Sequence, residues 1–380
     1  MIVVFSLVEW RITLWLLEYA RARWKERALT VARAVIVLFN AALAIGYTLS
    51  FSELLRYFPV STGFGMFVGA ATLGYFGAAT VLVAVRLARQ VLERSVASSP
   101  DPGRRRVLVS AGNLLIAAPF AAFGYGALIE RTDFQLRETE IPLAGLPADL
   151  DGLTILHLSD IHLSAFLSES ELARVIDACR QLHPNLAVVT GDLISTHGDP
   201  LDACLRQLAR LRSEAGTFGC MGNHERLAGA EQIAEKSGAR AGIQFLRSSN
   251  RELRFGNSTL NLAGVDYQRA SRPELYLKGA ERLVNPSACN VLLSHNPDVF
   301  PTAARQGYNL MLAGHTHGGQ VTVEIVDPLL NPARFLTPYV YGLYRSGAAA
   351  AYVTRGIGTI GVPARLGAPP EISLLRLRKA

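Results

Sequence analysis

Thr154-Ile-Leu-His-Leu-Ser-Asp-Ile-His162 and Leu186-Ala-Val-Val-Thr-Gly-Asp192 share one design: a short apolar run that ends in a turn carrying aspartate. Three more units follow. Residues 217–221 lead into Gly222-Asn-His-Glu225, residues 290–293 into Ser294-His-Asn296, and residues 310–313 into Gly314-His-Thr-His-Gly-Gly-Gln320. Helical stretches separate these runs. Short buried strands alternating with helices predict an α/β domain with largely parallel strands. Ser168 and Glu171 have capping-box spacing and open a helix expected to run to about Leu182, which assigns Glu171 to capping and not to chemistry. Upstream, residues 132–143 alternate weakly and end at Pro142, as an edge strand or tether does.

In open α/β sheets, ligands bind beyond the carboxyl ends of the strands, so five such turns would converge on one crevice. The chain has eight histidines and five of them lie in these turns. The metal-competent side chains are Asp160, His162, Asp192, Asn223, His295, His315 and His317. Seven are too many for one ion of about four to six ligands and suit two ions sharing a bridging carboxylate. The set is oxygen and imidazole without thiolate, which points to Mn, Fe or Zn. Two ions ~3.5–4 Å apart hold an attacking hydroxide and stabilise both oxygens of an in-line displacement at phosphorus.

The ordered pattern D-x-H, G-D, G-N-H-[DE], H and G-H-x-H, spread from Asp160 to His317, resembles the calcineurin-like metallophosphoesterases. The resemblance covers about residues 153–377. It implies a four-layer α/β/β/α sandwich, with Asp160, His162 and His317 on one metal, Asn223, His295 and His315 on the other, and Asp192 bridging. It further implies that His224 is not a ligand but a general acid or transition-state donor, with Glu225 as the catalytic carboxylate that orients it. Leu293-Ser-His-Asn-Pro-Asp298, His315-Thr-His-Gly-Gly-Gln320 and Tyr352-Val-Thr-Arg-Gly-Ile-Gly-Thr359 are similar to a membrane-anchored bacterial phosphodiesterase branch. The protein phosphatases of the superfamily carry G-D-x-V-D-R-G. Here Gly191-Asp-Leu-Ile-Ser-Thr196 lacks the second Asp and the Arg, which counts against a phosphoprotein substrate.

Other polar residues have plainer readings. His157 lies inside a strand and reads as a packed core histidine. His197 reads as a loop histidine, with substrate contact as its alternative. Arg355, in a glycine-rich turn, is a candidate for gripping a phosphate oxygen. Cys179, Cys204, Cys220 and Cys289 have no framework spacing and are expected as free buried thiols.

Charge and hydropathy divide the chain. Residues 1–130 hold 13 Lys and Arg against 7 Asp and Glu, whereas residues 131–380 hold 25 against 24. The near-neutral C-terminal part excludes nucleic acid as an electrostatic partner. Uncharged runs at 34–51, 61–85 and 107–129, with 2–17 as a fourth, predict a membrane anchor of three to four transmembrane helices over 1–130. A tether over 131–150 and the phosphoesterase domain over 151–380 follow. Five basic residues at 21–33 and six at 86–106, against one at 56, put both basic loops in the cytoplasm. That topology places the catalytic domain outside the cytoplasm, on a bacterial inner membrane.

The expected activity is cleavage of a phosphodiester or pyrophosphate, on a lipid-linked or cell-envelope substrate, with the bilayer as a further partner. Two alternatives stand beside it. One is hydrolysis of UDP-2,3-diacylglucosamine in lipid A synthesis, whose cytoplasmic substrate conflicts with this topology. The other is a non-catalytic membrane scaffold on the same fold, against which every expected ligand position is filled.

Overall fold

The computed structural model describes residues 2–23, 26–51, 124–322 and 331–380 and, between these, 75, 77, 79–88, 90, 103, 121–122. It divides into two units, Met1–Leu128 with Gly361–Pro363 and Ile129–Ile360 with Ala364–Ala380.

The first unit contains α1 (Ile2–Arg23) and α2 (Glu26–Phe51). They touch through Asn40, whose amide donates to the Thr13 hydroxyl at 3.3 Å. Among the described residues no helix is long and apolar enough to cross a membrane. This corrects the expectation of transmembrane spans at 2–17 and 34–51. Glu9, Arg11, Glu18, Arg21 and Arg23 are spread along α1, and charges so placed interrupt its apolar stretch; in α2, Glu26, Arg27 and Arg33 confine the uncharged part to residues 34–51. Most of 61–85 and 107–129 lies outside the described residues.

The second unit is built on two six-stranded sheets. The first contains β1 (Gln135–Leu143), β2 (Thr154–Leu158), β3 (Leu186–Thr190), β4 (Thr217–Cys220) and β5 (Ile243–Phe245). The second contains β6 (Ser249–Phe255), β7 (Ser258–Gly264), β8 (Cys289–Leu293), β9 (Leu310–Ala313), β10 (Gly342–Ser346) and β11 (Ala349–Val353). The last strand, β12 (Glu371–Lys379), returns to the first sheet, so the orders are β1-β12-β2-β3-β4-β5 and β10-β11-β9-β8-β7-β6. The β2–β5 and β7–β9 pairings are parallel, as is β9 with β11. Antiparallel pairs occur at β6–β7, β10–β11 and β12–β2. The expected edge strand is β1, paired in parallel with β12.

Alternation along the strands assigns the layers. Ile155, Leu186 and Val188 face Leu260, Val291, Leu293 and Leu312 in a core between the sheets. Their neighbours Leu156, Ala187 and Val189 pack under α3 (Glu169–Arg180), α4 (Leu201–Leu208) and α6 (Glu231–Arg240). On the far face, Leu292, Met311 and Ala351 pack under α7 (Phe300–Gln306), giving α/β/β/α order. One short helix, α5 (Asn223–Leu227), opens at the end of β4. Ser168 caps α3 by accepting from Glu171 N at 3.2 Å, while the Glu171 carboxylate accepts from Ser168 N at 2.7 Å. The four cysteines are free and buried.

Candidate metal centre

All five turns open at the carboxyl ends of parallel strands, so they meet at one end of the sandwich. The backbone there is unusual. Asp160, His162, Asp192, His315 and His317 all have positive φ, between 48° and 76°. Non-glycine residues avoid this region, and such strain persists only where surrounding contacts impose it. The contacts are present: Asp160 N donates to the Gly191 carbonyl at 3.1 Å, His162 N to the Asp192 carbonyl at 2.9 Å, and His315 N to both Asp160 carboxylate oxygens at 3.0 Å. Two glycines are needed for space. A Cβ on Gly222 would lie 2.1 Å from Asp192 Oδ1, and one on Gly314 would lie 2.1 Å from Asp160 Oδ2.

These constraints aim one ligand atom of each residue inward. Asp192 Oδ2 lies 3.1 Å from His295 Nε2 and 3.5 Å from His162 Nε2. Asp160 Oδ1 lies 3.3 Å from His317 Nε2. His162 Nε2 and His317 Nε2 are 3.2 Å apart, and His295 Nε2 is 3.1 Å from both His315 Nδ1 and Asn223 Oδ1. Three groups could hold an ion: Asp160-His162-His317, Asp192-His295-His315, and His162-Asp192-His224. Asp192 belongs to two of them.

Outer atoms are anchored elsewhere. His295 Nδ1 donates to the Thr190 carbonyl at 2.7 Å, and His162 Nδ1 bonds with Ser195 Oγ at 3.1 Å. His224 Nδ1 donates to the Ser195 carbonyl at 2.5 Å, which leaves Nε2 as its free nitrogen. Glu225 does not orient His224. Its buried carboxylate accepts from the backbone N–H groups of Asp192, Leu193 and Gly222 at 2.7–2.9 Å, tying the β3 and β4 turns together.

The electrostatics suit cations. Burial, with His295 and Arg365 charge nearby, lowers His315 and His317 to about 4, and burial holds His162 well below its usual value. Burial opposes ionisation of the carboxylates, but surrounding histidines, His317 and His295 foremost, hold Asp160 low, and His295 holds Asp192 well below its usual range. Against its own burial, His295 is lifted to about 10 by Asp192 and Asp160. A site that draws a proton onto a buried histidine is short of positive charge. Two buried carboxylates among inward-facing imidazoles thus fit divalent ions.

The two remaining candidates fall differently. Arg355 is buried, packs against Gly318 beside His317, and lies 4.1 Å over the Tyr341 ring, with its Nε unpartnered. His197 is not in the cluster: its Nδ1 approaches the Ala228 carbonyl at 3.3 Å, and it lines a cavity of about 340 Å³ with Asp199, Asp202 and Ile233. That position, in a turn outside the ligand cluster, fits its reading as a loop histidine. His157 is a fully buried core residue, as expected, with Nε2 2.9 Å from Thr190 Oγ1.

Four contributors escaped the sequence reading: Ser195, Thr190, Tyr267 and Arg365. Ser195 occupies the position where the phosphatase pattern has its second Asp, so the departure itself was the signal. Arg365 is fully buried and donates to the carbonyls of His317, Arg355, Gly356, Gly358 and Ala368. A lone Arg among Ala and Gly carries no sequence signal for that.

The profile of the calcineurin-like phosphoesterase family matches residues 153–319. Phosphodiesterase YaeI of Escherichia coli is 30% identical over 283 residues, which cover 72% of this chain and 98% of that one. This chain belongs to the calcineurin-like phosphoesterases. It is a metallophosphoesterase, a hydrolase of a family that uses divalent metals. The metallophosphoesterase YkuE of Bacillus subtilis is 28% identical over 72% of this chain and 97% of its own length. A transmembrane protein with metallophosphoesterase domain from Danio rerio is 30% identical over 70% of this chain, and the match spans 62% of the zebrafish protein.

Proposed function

We propose that this metallophosphoesterase is a binuclear phosphodiesterase-type hydrolase. One observation carries the reading: the groups Asp160-His162-His317 and Asp192-His295-His315 lie side by side, with Asp192 Oδ2 only 3.5 Å from His162 Nε2. Asp160, His162 and His317 would hold one ion and Asn223, His295 and His315 the other, with Asp192 shared. When bound, such ions lower the pKa of a water and neutralise charge on the phosphoryl oxygens. The chain supplies the remainder. With Nδ1–H held on the Ser195 carbonyl, His224 Nε2 is the nitrogen left to take up a proton from water and pass it to the departing oxygen. Glu225 positions the two turns. The unpartnered Nε of Arg355 supports a grip on a phosphoryl oxygen.

A lipid-linked or cell-envelope substrate is the finer part of the proposal. It is supported by the apolar runs 61–85 and 107–129 and by the name of the zebrafish relative. No observation favours the scaffold reading, and none singles out UDP-2,3-diacylglucosamine among possible substrates. Hydrolysis of bis(4-nitrophenyl) phosphate and of 4-nitrophenyl phosphate, with Mn²⁺ added after chelation, tests the function. The diester should be the better substrate, with both rates collapsing in chelator. A metal-loaded chain that cleaves neither would overturn the proposal.

A further inference from the structure

Beside the cluster lies a cavity of about 210 Å³, bounded by Arg226, Arg269 and Arg272 with Tyr267 and Tyr276. Two elements of the centre tie it there. Arg226 sits on α5, three residues after Asn223. Tyr267 follows β7, and its ring centroid is 5.6 Å from that of His315 and 6.0 Å from that of His295. The loop from Asp266 onward leaves the carboxyl end of a strand parallel to β8, so it overhangs the same end of the sandwich as the ligands.

The charge of this cavity is unbalanced. It has three guanidinium groups and no acidic residue in its lining. Among the described residues, none of the three has an ion-pair partner, although each is exposed enough to reach one. Asp266, the adjacent acid, is taken from outside: Arg247 donates to its two oxygens at 2.8 and 2.9 Å. Asp298, near Tyr276, accepts from Thr337. Glu274 is exposed on the same loop and does not line the cavity. Three like charges gathered around one hollow repel one another, and an anion with several acceptor oxygens relieves that repulsion.

We infer that this cavity receives a second phosphoryl group of the substrate, next to the one cleaved, so that the preferred substrate is a diphosphate diester. The inference rests on the phosphoesterase function proposed above and narrows its substrate class. The scissile phosphoryl group lies at the ligand cluster; its neighbour, one bridging oxygen away, meets Arg226, Arg269 and Arg272 by paired N–H···O contacts beside the Tyr267 ring. A diester with a single phosphate leaves the arginines unused.

The test uses the full Mn²⁺-loaded chain and two substrates. One is bis(4-nitrophenyl) phosphate, from which water releases 4-nitrophenol. The other is P1,P2-bis(4-nitrophenyl) diphosphate, whose P–O–P bond water splits into two molecules of 4-nitrophenyl phosphate, a reaction followed by chromatography. The double variant R269E/R272E should raise KM for the diphosphate about tenfold or more, equivalent to about 1.4 kcal/mol. Its kcat, and both constants for the single-phosphate diester, should stay within about twofold. R269Q/R272Q should fall between. Equal losses on the two substrates, or none on either, would overturn the inference. Binding of the diphosphate diester by calorimetry reads the cavity without turnover. If the wild type cleaves neither compound, the phosphoesterase proposal fails; equal binding to wild type and double variant would then sink the cavity assignment as well, and weaker binding to the variant would uphold it.

Discussion

Asp192 touches both halves of the ligand cluster, with Oδ2 within 3.5 Å of His162 and His295 and Oδ1 accepting from His224 N at 2.9 Å. Asp192→Asn keeps the shape and removes the shared charge. It should lose more metal than a change at any other of the seven, with activity down about 10²-fold or more, since even outer supports of metal ligands are worth about 10–100-fold. Metal content by elemental analysis checks this; unchanged content and rate would refute a two-ion site. His224 poses a sharper question, because it lies within ligating reach of His162 and Asp192. His224→Ala should retain its metal and lose about 10²–10⁴-fold in turnover, the usual worth of general acid catalysis. The loss should shrink for a 4-nitrophenyl ester, whose leaving group needs little protonation. A variant emptied of one ion would instead make His224 a ligand.

The elements most visible in sequence were the strands that end in ligands. Thr154–Leu158, Leu186–Thr190 and Leu310–Ala313 match their apolar runs residue for residue, because strands buried on both faces are written as continuous hydrophobic stretches. The hairpin β6–β7 was not found, although Gly256-Asn257 between its strands is a two-residue hairpin signal. Its first strand is mostly exposed and polar, so hydropathy hid it. The pairing of β1 with β12 joins opposite ends of the domain, and nothing local encodes it. The same is true of the segment from Arg355 to Ala368, which Arg365 holds against the His317 turn. Arg365→Leu removes donors from five buried carbonyls and should cost about 3 kcal/mol or more, at roughly 1–3 kcal/mol for each group left unsatisfied. Arg365→Lys should recover only part, since an ammonium lacks the planar fork. Thermal unfolding of the metal-free protein measures both; a change under about 0.5 kcal/mol for the leucine variant would show that the segment is held by other contacts.

At the scale of the whole molecule, the metal-side residues were legible because chemistry restricts them to a few residue types, while the supporting polar atoms were not. His157 shows what this means for stability. It lies between the sheets with no exposed surface, its Nδ1 has no hydrogen-bond partner, and burial, opposed by Asp160, pushes its pKa down to about 3. In the unfolded chain the same imidazole titrates near ~6.5. Between these values the unfolded state binds a proton that the folded state refuses, so stability falls as pH drops below about 6.5 and keeps falling toward the folded value. The slope from one such group is about 1.4 kcal/mol per pH unit. His157→Gln places an amide where Nε2 meets Thr190 and removes the titration. The metal-free variant should therefore lose less stability than the wild type between pH 6.5 and 4, by up to that slope, while differing little in the ligand histidines. Chemical denaturation across this range decides it: parallel curves for the two proteins would mean that His157 does not couple the sandwich to acid, and that the ligand imidazoles alone do.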